Sequence, residues 1–552
     1  MTLLKYRADI DGLRAVAVLG VIIYHAWPWA LPGGFIGVDI FFVISGYLIS
    51  GILYKGLKAN GGEGEFSFAE FYARRIRRLF PALITVLLLC LGYGWVILLP
   101  DEFQQLGKHV AAGTLFIQNF VFWQESGYFD TAANLKPLLH LWSLAVEEQF
   151  YIFFPPLLLL IWKRKWPLVI IMGVLLIASM ILNLVMSVQD SVPAFFLTPY
   201  RAWEFLGGSL LAWWHYDKGH EEDVPVYREA LAWGGLILLG LGFTFIHKSD
   251  PYPGWRAILP VAGTLMLMEG GRGALVNRKL LSNPAIVWIG LISYPLYLFH
   301  WPALSFVHIV KGENPKPVYI ADALILSLLL SIFTYYFIER KIRHNKSCWT
   351  IPVLVGAFLL TGLIGLLVAK DVISSATLPS SLINVQLAIN DTKSSAGLER
   401  LSGKDKILVY RGGGSGRTTL FIGDSNMRQY APRIVELLKE SHDSRGVLFI
   451  TAGGVPTIPG ITSPERPECG QLMPRIYREI KDNTTIDRVV IAAAWHNYFI
   501  KKNEYGLAGV SLTEWPAKKA ALEALGSFIQ SLVNDGKKVT LILSVPTGEV
   551  LN

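Results

Sequence analysis

The chain has 552 residues, 52% hydrophobic and 17% charged, and its apolar residues gather in repeated runs near the length that crosses a bilayer. That composition gives a polytopic α-helical membrane protein. The formal charge of +8 sits on Lys and Arg in short loops between apolar runs, which is membrane topology rather than a nucleic-acid footprint, so the lipid bilayer is an expected partner and nucleic acid is not. Cys90, Cys348 and Cys469 show no metal-ligand spacing, and neither a metal nor a disulfide framework is expected.

The first apolar run, 13–29, is followed by many others and lacks a small-residue cleavage site, so it reads as a retained helix. It carries Arg14 and His25. Eleven positions place His25 about 16 Å along the helix from Arg14 and only about 20° around it, so both are expected to face one interior cavity at different depths. Arg14 is suited to gripping a phosphate bidentately and His25 to taking a proton from a sugar hydroxyl. Spans are further expected at 35–54, 79–99, 140–162, 166–186, 196–216, 229–247, 257–270, 284–309, 318–338 and 349–369, which makes eleven. Residues 103–123, interrupted by Lys108 and His109, read as a re-entrant or interfacial helix. Short loops on the N-terminal side hold eighteen Lys and Arg against six opposite, which puts the N-terminus in the cytoplasm and everything after residue 370 outside it.

Polar residues recur within the spans. "FFVISGYLIS" brings Ser45, Gly46 and Tyr47 into the second, where small residues signal close helix packing. "FYARRIRRLFPAL" sets Arg74, Arg75, Arg77 and Arg78 at the cytoplasmic start of the third; they read equally as a clamp for a phosphorylated donor and as a positive-inside anchor. "HLWSLAVEEQFY" places His140, Glu147, Glu148 and Gln149 near the outer half of a span. At least one of these carboxylates is expected to face a cavity and to orient an imidazole such as His25. "YRAWEFLGGSLL" adds Arg201 and Glu204, which pair at three-residue spacing, while Tyr297 and His300 of "SYPLYLFHWP" and Glu339 and Arg340 of "FIERKIR" read as packing or interface anchors.

Residues 346–370 supply the last span and 371–415 read as a linker, leaving 416–552 as a separate domain. There "TTLFIGDS", "RGVLFITA", "DRVVIAAAW" and "KKVTLILSVP" are short β-branched runs separated by helical segments near 427–440, 472–482 and 516–534. That alternation implies an α/β fold with a parallel sheet. "TTLFIGDSNMRQY" puts Ser425 on a strand-to-helix turn, where the helix N-terminus favours an oxyanion.

Residues 1–345 resemble the membrane acyltransferase-3 family. The resemblance rests on the Arg14-to-His25 spacing, "FFVISGYLI", "RRIRRLFP", "HLWSLAVEEQFY", "YRAWEFLGG" and "SYPLYLFHWP". These bacterial enzymes O-acylate cell-surface carbohydrates from a cytoplasmic acyl-CoA. The resemblance implies His25 as catalytic base and Arg14 as a contact of the donor or a structural one; Glu148 is carried as a catalytic candidate and Arg74, Arg75, Arg77 and Arg78 as donor-binding candidates, without a role fixed by the resemblance. Residues 418–552 resemble the SGNH hydrolase and esterase superfamily, with Ser425 in its first block, Gly453 or Gly454 in its second and Asn497 in its third. The third block lacks the usual Gly two residues before Asn, and the Asp-x-x-His of the last block does not occur within residues 416–552. His496 reads as structural, and the domain is expected to extend past residue 552.

The expectation is therefore a multi-pass O-acetyltransferase of the bacterial inner membrane, using acetyl-CoA and acylating a surface polysaccharide or lipid-linked glycan. The fused architecture resembles enzymes of lipopolysaccharide O-antigen first and of peptidoglycan second. An alternative of another class is an acyl or lipid-linked glycan transporter with its chemistry confined to the outer domain.

Overall fold

In the computed structural model, which describes residues 6–58, 67–126, 133–218, 226–312, 314–345, 347–376, 398–402, 406–441, 444–500 and 504–543, the chain divides into two units, Met1–Leu378 and Pro379–Asn552. The first is helical: α1 Ala8–Ala26, α2 Gly37–Lys58, α3 Phe68–Ile97, α4 Pro100–Thr114, α5 Gln118–Glu125, α6 Leu141–Lys163, α7 Leu168–Gln189, α8 Ser191–Phe196, α9 Thr198–Lys218, α10 Val226–Phe245, α11 Ile258–Gly270, α12 Pro284–Leu291, α13 Ser293–Lys311, α14 Pro317–Phe333, α15 Arg340–Arg343 and α16 Thr350–Ala369. Every expected span coincides with helix. By length and apolar character, however, seven described helices are able to cross a membrane, or eight if a bent pair counts as one span. α1 carries Asp9, Asp11 and Arg14, α9 carries Arg201 and Glu204, and α11 has only 13 residues. Residues 103–123 fall in α4, a break and α5.

The bent pair corrects the expected single span 284–309. α12 and α13 meet at 66°, and Pro295 in the first turn of α13 is compatible with a helix starting there because the first turn needs no N–H partner. Small residues bring α2 and α9 together, as expected for Gly46. A Cβ on Gly46 would stand 2.0 Å from the Phe205 carbonyl oxygen, and one on Gly208 2.1 Å from that of Val43. Next to this contact Arg201 is completely enclosed, its Nη2 3.2 Å from Asp39 and its Nε 3.2 Å from Glu204. The expected Arg201–Glu204 pair is thus one side of a buried three-charge cluster.

The second unit holds a six-stranded sheet in the order β1-β2-β4-β3-β6-β9, built from β1 Glu399–Ser402, β2 Ile407–Gly413, β3 Thr418–Gly423, β4 Gly446–Ala452, β6 Ile486–Ala492 and β9 Lys538–Ile542. β4, β3, β6 and β9 run parallel, whereas β1 and β2 add antiparallel to the β4 edge. The sheet is therefore mixed, which corrects the parallel sheet of the sequence reading. Both extra strands come from the stretch read as linker: "KILVY" is a short β-branched run hidden between polar and glycine-rich residues. β5 Ile461–Thr462, β7 Gly506–Leu507 and β8 Val510–Ser511 form a small second sheet. The core lies on the faces of the large sheet, with all of β4 buried.

Candidate active site

The membrane unit encloses a cavity of about 650 Å³, a size suited to a small-molecule ligand. Arg14 reaches it from α1, Ser45 and Tyr47 from α2, the four arginines from α3, Glu147 and Tyr151 from α6, and Tyr294 and Tyr297 from α13. The helix carrying the cluster starts at Ser67, whose hydroxyl accepts the Glu70 N–H at 3.2 Å. Arg74, Arg75, Arg77 and Arg78 therefore lie on α3 itself, on the cavity wall.

The arginines are not equivalent. Arg75 donates to Glu148 Oε1 at 2.6 Å and lies 3.5 Å over the Tyr151 ring, both partners being buried. Arg74 pairs with the exposed Glu70 one turn before it. Arg14 holds Asp11 at 3.2 Å, and Asp11 also accepts from Tyr6 at 2.7 Å. Arg77 and Arg78 have no carboxylate partner among the described residues, and Arg77 Nε is buried without a hydrogen bond. The charge of Arg78 nevertheless acts on the Glu339 and Glu148 carboxylates at longer range. Guanidinium groups without a direct ion pair on a cavity wall attract an anion, and their planar donor forks suit phosphate.

His25 does not lie on that wall, contrary to the expected shared cavity. It stacks on His300 at a centroid distance of 5.3 Å and meets the edge of Trp301 at 4.4 Å. His25 Nδ1 is 3.0 Å from His300 Nε2, and His300 Nδ1 donates to the Tyr297 carbonyl at 2.7 Å. The Tyr297 hydroxyl lies 2.7 Å from Ser143 Oγ and 3.0 Å from the His140 carbonyl oxygen. Tyr297 thus joins the cavity to the histidine pair. The bend between α12 and α13 accompanies this arrangement, because side chains of α13 occupy the space beside the end of α1.

The expected carboxylate beside His25 is also corrected. Glu148 is held by Arg75, and Glu147 accepts from Ser45 at 2.6 Å and from Tyr151. The partner of His25 is His300, a residue the sequence reading took as packing. Three-residue spacing puts His300 on the same face of α13 as Tyr297, but its pairing with His25 is a tertiary contact.

In the second unit, Gly423 ends β3 where a Cβ would stand 1.9 Å from the Ala492 carbonyl oxygen. Ser425 follows, exposed, at the first position of a short helix. Asp424 fixes this turn: it accepts from the Asn426 N–H at 2.8 Å, the Ala494 N–H at 2.8 Å and the Tyr498 hydroxyl at 2.5 Å. Burial and that carboxylate push the Tyr498 phenol well above its ordinary value. The parallel neighbours β4, β3 and β6 bring their C-terminal ends to one edge, so Gly453 and Gly454, Ser425 and Asn497 gather there. Gly454 has a φ of +68°, and its carbonyl accepts from Tyr505 at 2.8 Å. Asn497 lines a cavity of about 340 Å³ with Asn426, Gln429 and His496. His496, read as structural, is exposed there.

A family profile described as an acyltransferase domain, the acyltransferase-3 type, matches residues 7–336. The chain belongs to the acyltransferase-3 family. A second profile, described as an SGNH domain fused to AT3 domains, matches residues 392–552; it begins before β1 and so includes both strands that had been read as linker. Among known proteins, "Putative O-acetyltransferase SAS0844" of Staphylococcus aureus strain MSSA476 is 35% identical over 355 residues, 62% of this chain and 58% of the relative. O-acetyltransferase OatA of Staphylococcus aureus strains NCTC 8325 and COL is 32% identical over 384 residues, 67% of this chain and 63% of the relative. The matches thus span about three fifths of those relatives' length. No solved structure matches the chain significantly.

Proposed function

We propose that this acyltransferase-3 protein is an O-acetyltransferase that carries an acetyl group from acetyl-CoA to a hydroxyl of an extracytoplasmic carbohydrate, with the inner-membrane orientation set by its basic loops. The observation that carries the reading is the pair Arg77 and Arg78, without a direct ion pair among the described residues, on a cavity that Arg14, Arg74 and Arg75 also line. A diphosphate with an apolar thioester arm matches that mixture of cationic and aromatic walls. His25 lies off that cavity wall and is joined to it by Tyr297 through His300, so the thioester arm runs past Tyr297 to reach it. There His25 takes the acceptor hydroxyl proton as the oxygen attacks the thioester carbonyl: a C–O bond forms, the C–S bond breaks, and the departing thiolate receives the proton. Where the first acceptor hydroxyl belongs to a carrier, Ser425 Oγ of the second unit attacks the carried acyl carbon, the carrier's ester C–O bond breaks and its oxygen takes the serine proton. The final hydroxyl then displaces Ser425, which regains a proton, with Gly454 and Asn497 as expected oxyanion contacts. The acceptor proposed remains the O-antigen of the sequence reading.

Arg77→Gln and Arg78→Gln test the donor site. The two together are expected to raise the KM for acetyl-CoA about tenfold or more, the loss of two charge-assisted contacts, with a lower thermal midpoint from Arg78→Gln than from Arg77→Gln because the charge of Arg78 also acts on the buried Glu339. An unchanged KM contradicts the reading.

A further inference from the structure

The hydrogen bonds around His25 run in one direction only. A carbonyl oxygen has no proton to give, so the 2.7 Å contact between His300 Nδ1 and the Tyr297 oxygen requires the proton on Nδ1. In the neutral ring His300 Nε2 is then a lone pair, and the 3.0 Å contact to His25 Nδ1 requires a proton there. That leaves His25 Nε2 as the basic atom. Neither ring touches a carboxylate among the described residues, so no counter-ion supports the opposite, charged arrangement at rest. The nearly parallel rings, 7° apart, and the edge of Trp301 against His25 leave the imidazole little freedom to turn.

From this chain of contacts we infer that His300 is the positioning residue of the acyl transfer: it fixes the His25 tautomer with Nε2 free and, through the Tyr297 carbonyl, ties that tautomer to the cavity wall. The inference rests on His25 being the base proposed above. When His25 Nε2 takes the acceptor proton, its Nδ1–H stays bonded to His300 Nε2, and the charge that develops is met by the His300 ring and the Tyr297 carbonyl dipole. The proton leaves again to the thiolate, so the pair ends each cycle as it began. An imidazole held by a second neutral ring and a backbone oxygen does the work that a carboxylate does in a hydrolase triad, and it does so without burying a charge in the resting state.

The test uses the full chain in membranes with isotope-labelled acetyl-CoA, comparing His300→Phe, His300→Gln and His25→Gln. Phe keeps the ring volume but offers no acceptor; the Gln carbonyl restores an acceptor for His25 Nδ1–H. His300→Phe is expected to lower kcat by about 10²-fold or more with the KM for acetyl-CoA unchanged, the range found when a positioned base loses its orientation. His300→Gln is expected to recover most of that loss. A His300→Phe protein with wild-type kcat overturns the inference while leaving the base assignment standing. Equal losses in His300→Phe and His300→Gln, or a rise in KM alongside kcat, show a packing role and also overturn it. Full turnover in His25→Gln overturns the base assignment and the inference with it. Size-exclusion profiles of the variants separate loss of fold from loss of rate, and a folded His300→Phe protein that turns over normally is decisive.

Discussion

Arg75 and Glu148 show how four neighbouring arginines divide between holding the fold and facing a ligand. Both side chains are nearly enclosed and bonded at 2.6 Å, so removing one strands the other's charge in an apolar place. Arg75→Met is therefore expected to cost roughly 3–5 kcal/mol, seen as a lower midpoint in detergent, and Arg75→Met with Glu148→Leu to recover most of it. An additive double variant contradicts this. The cysteines give a second check. Burial pushes the Cys469 thiol up to about 11, so near pH 8 it stays protonated and unreactive. Cys90 is buried within α3 and Cys348 is exposed. Iodoacetamide at pH 8 is expected to alkylate Cys348 first, as read by peptide mass spectrometry. Raising the pH towards 11 should increase labelling of Cys469 in the folded chain, because the thiolate is the nucleophile and its fraction grows as pH approaches that value.

At the scale of elements, close approach sets the tolerances. Gly46 and Gly208 face the Phe205 and Val43 carbonyls at distances no Cβ can occupy, so Gly46→Val must push α2 from α9. The expected result is a loss of at least the roughly 1–3 kcal/mol typical of overpacking, measured as thermal midpoint, with no comparable effect at Gly92, whose Cβ position is open. Most helix positions were legible in the sequence because apolar runs in a membrane protein leave few other choices. The α12–α13 break was not, since a continuous apolar run looks the same bent or straight and only Pro295 marks the restart. Strands β3, β4, β6 and β9 were legible as apolar β-branched runs with helical segments between them. β2 was not, because its seven residues end in the glycines 412 and 413 and merge with a polar stretch in composition. The site was legible in part for a related reason. Spacing along one helix finds Arg14 and His25, and a cluster within one turn of α3 finds the arginines. His300 belongs with His25 only through a tertiary contact across 275 positions, and Asp424 meets Tyr498 across 74, separations at which local patterns carry no signal.

The whole molecule joins a membrane unit with a cationic, aromatic cavity to a second unit that presents a serine at a strand-to-helix turn. The acyltransferase-3 match covers residues 7–336 and the fused-domain match residues 392–552, so the two matches fall in separate parts of one chain. The central claim is that acetyl moves from acetyl-CoA to a carbohydrate hydroxyl with His25 as base. Its most direct test is the purified full chain in liposomes, given isotope-labelled acetyl-CoA on the side of the arginine cluster and a surface glycan on the other, with His25→Ala in parallel. The account predicts labelled O-acetyl groups on the glycan with the wild-type chain and none above background with His25→Ala. Intact labelled acetyl-CoA with the wild-type chain, or equal labelling by both proteins, contradicts it.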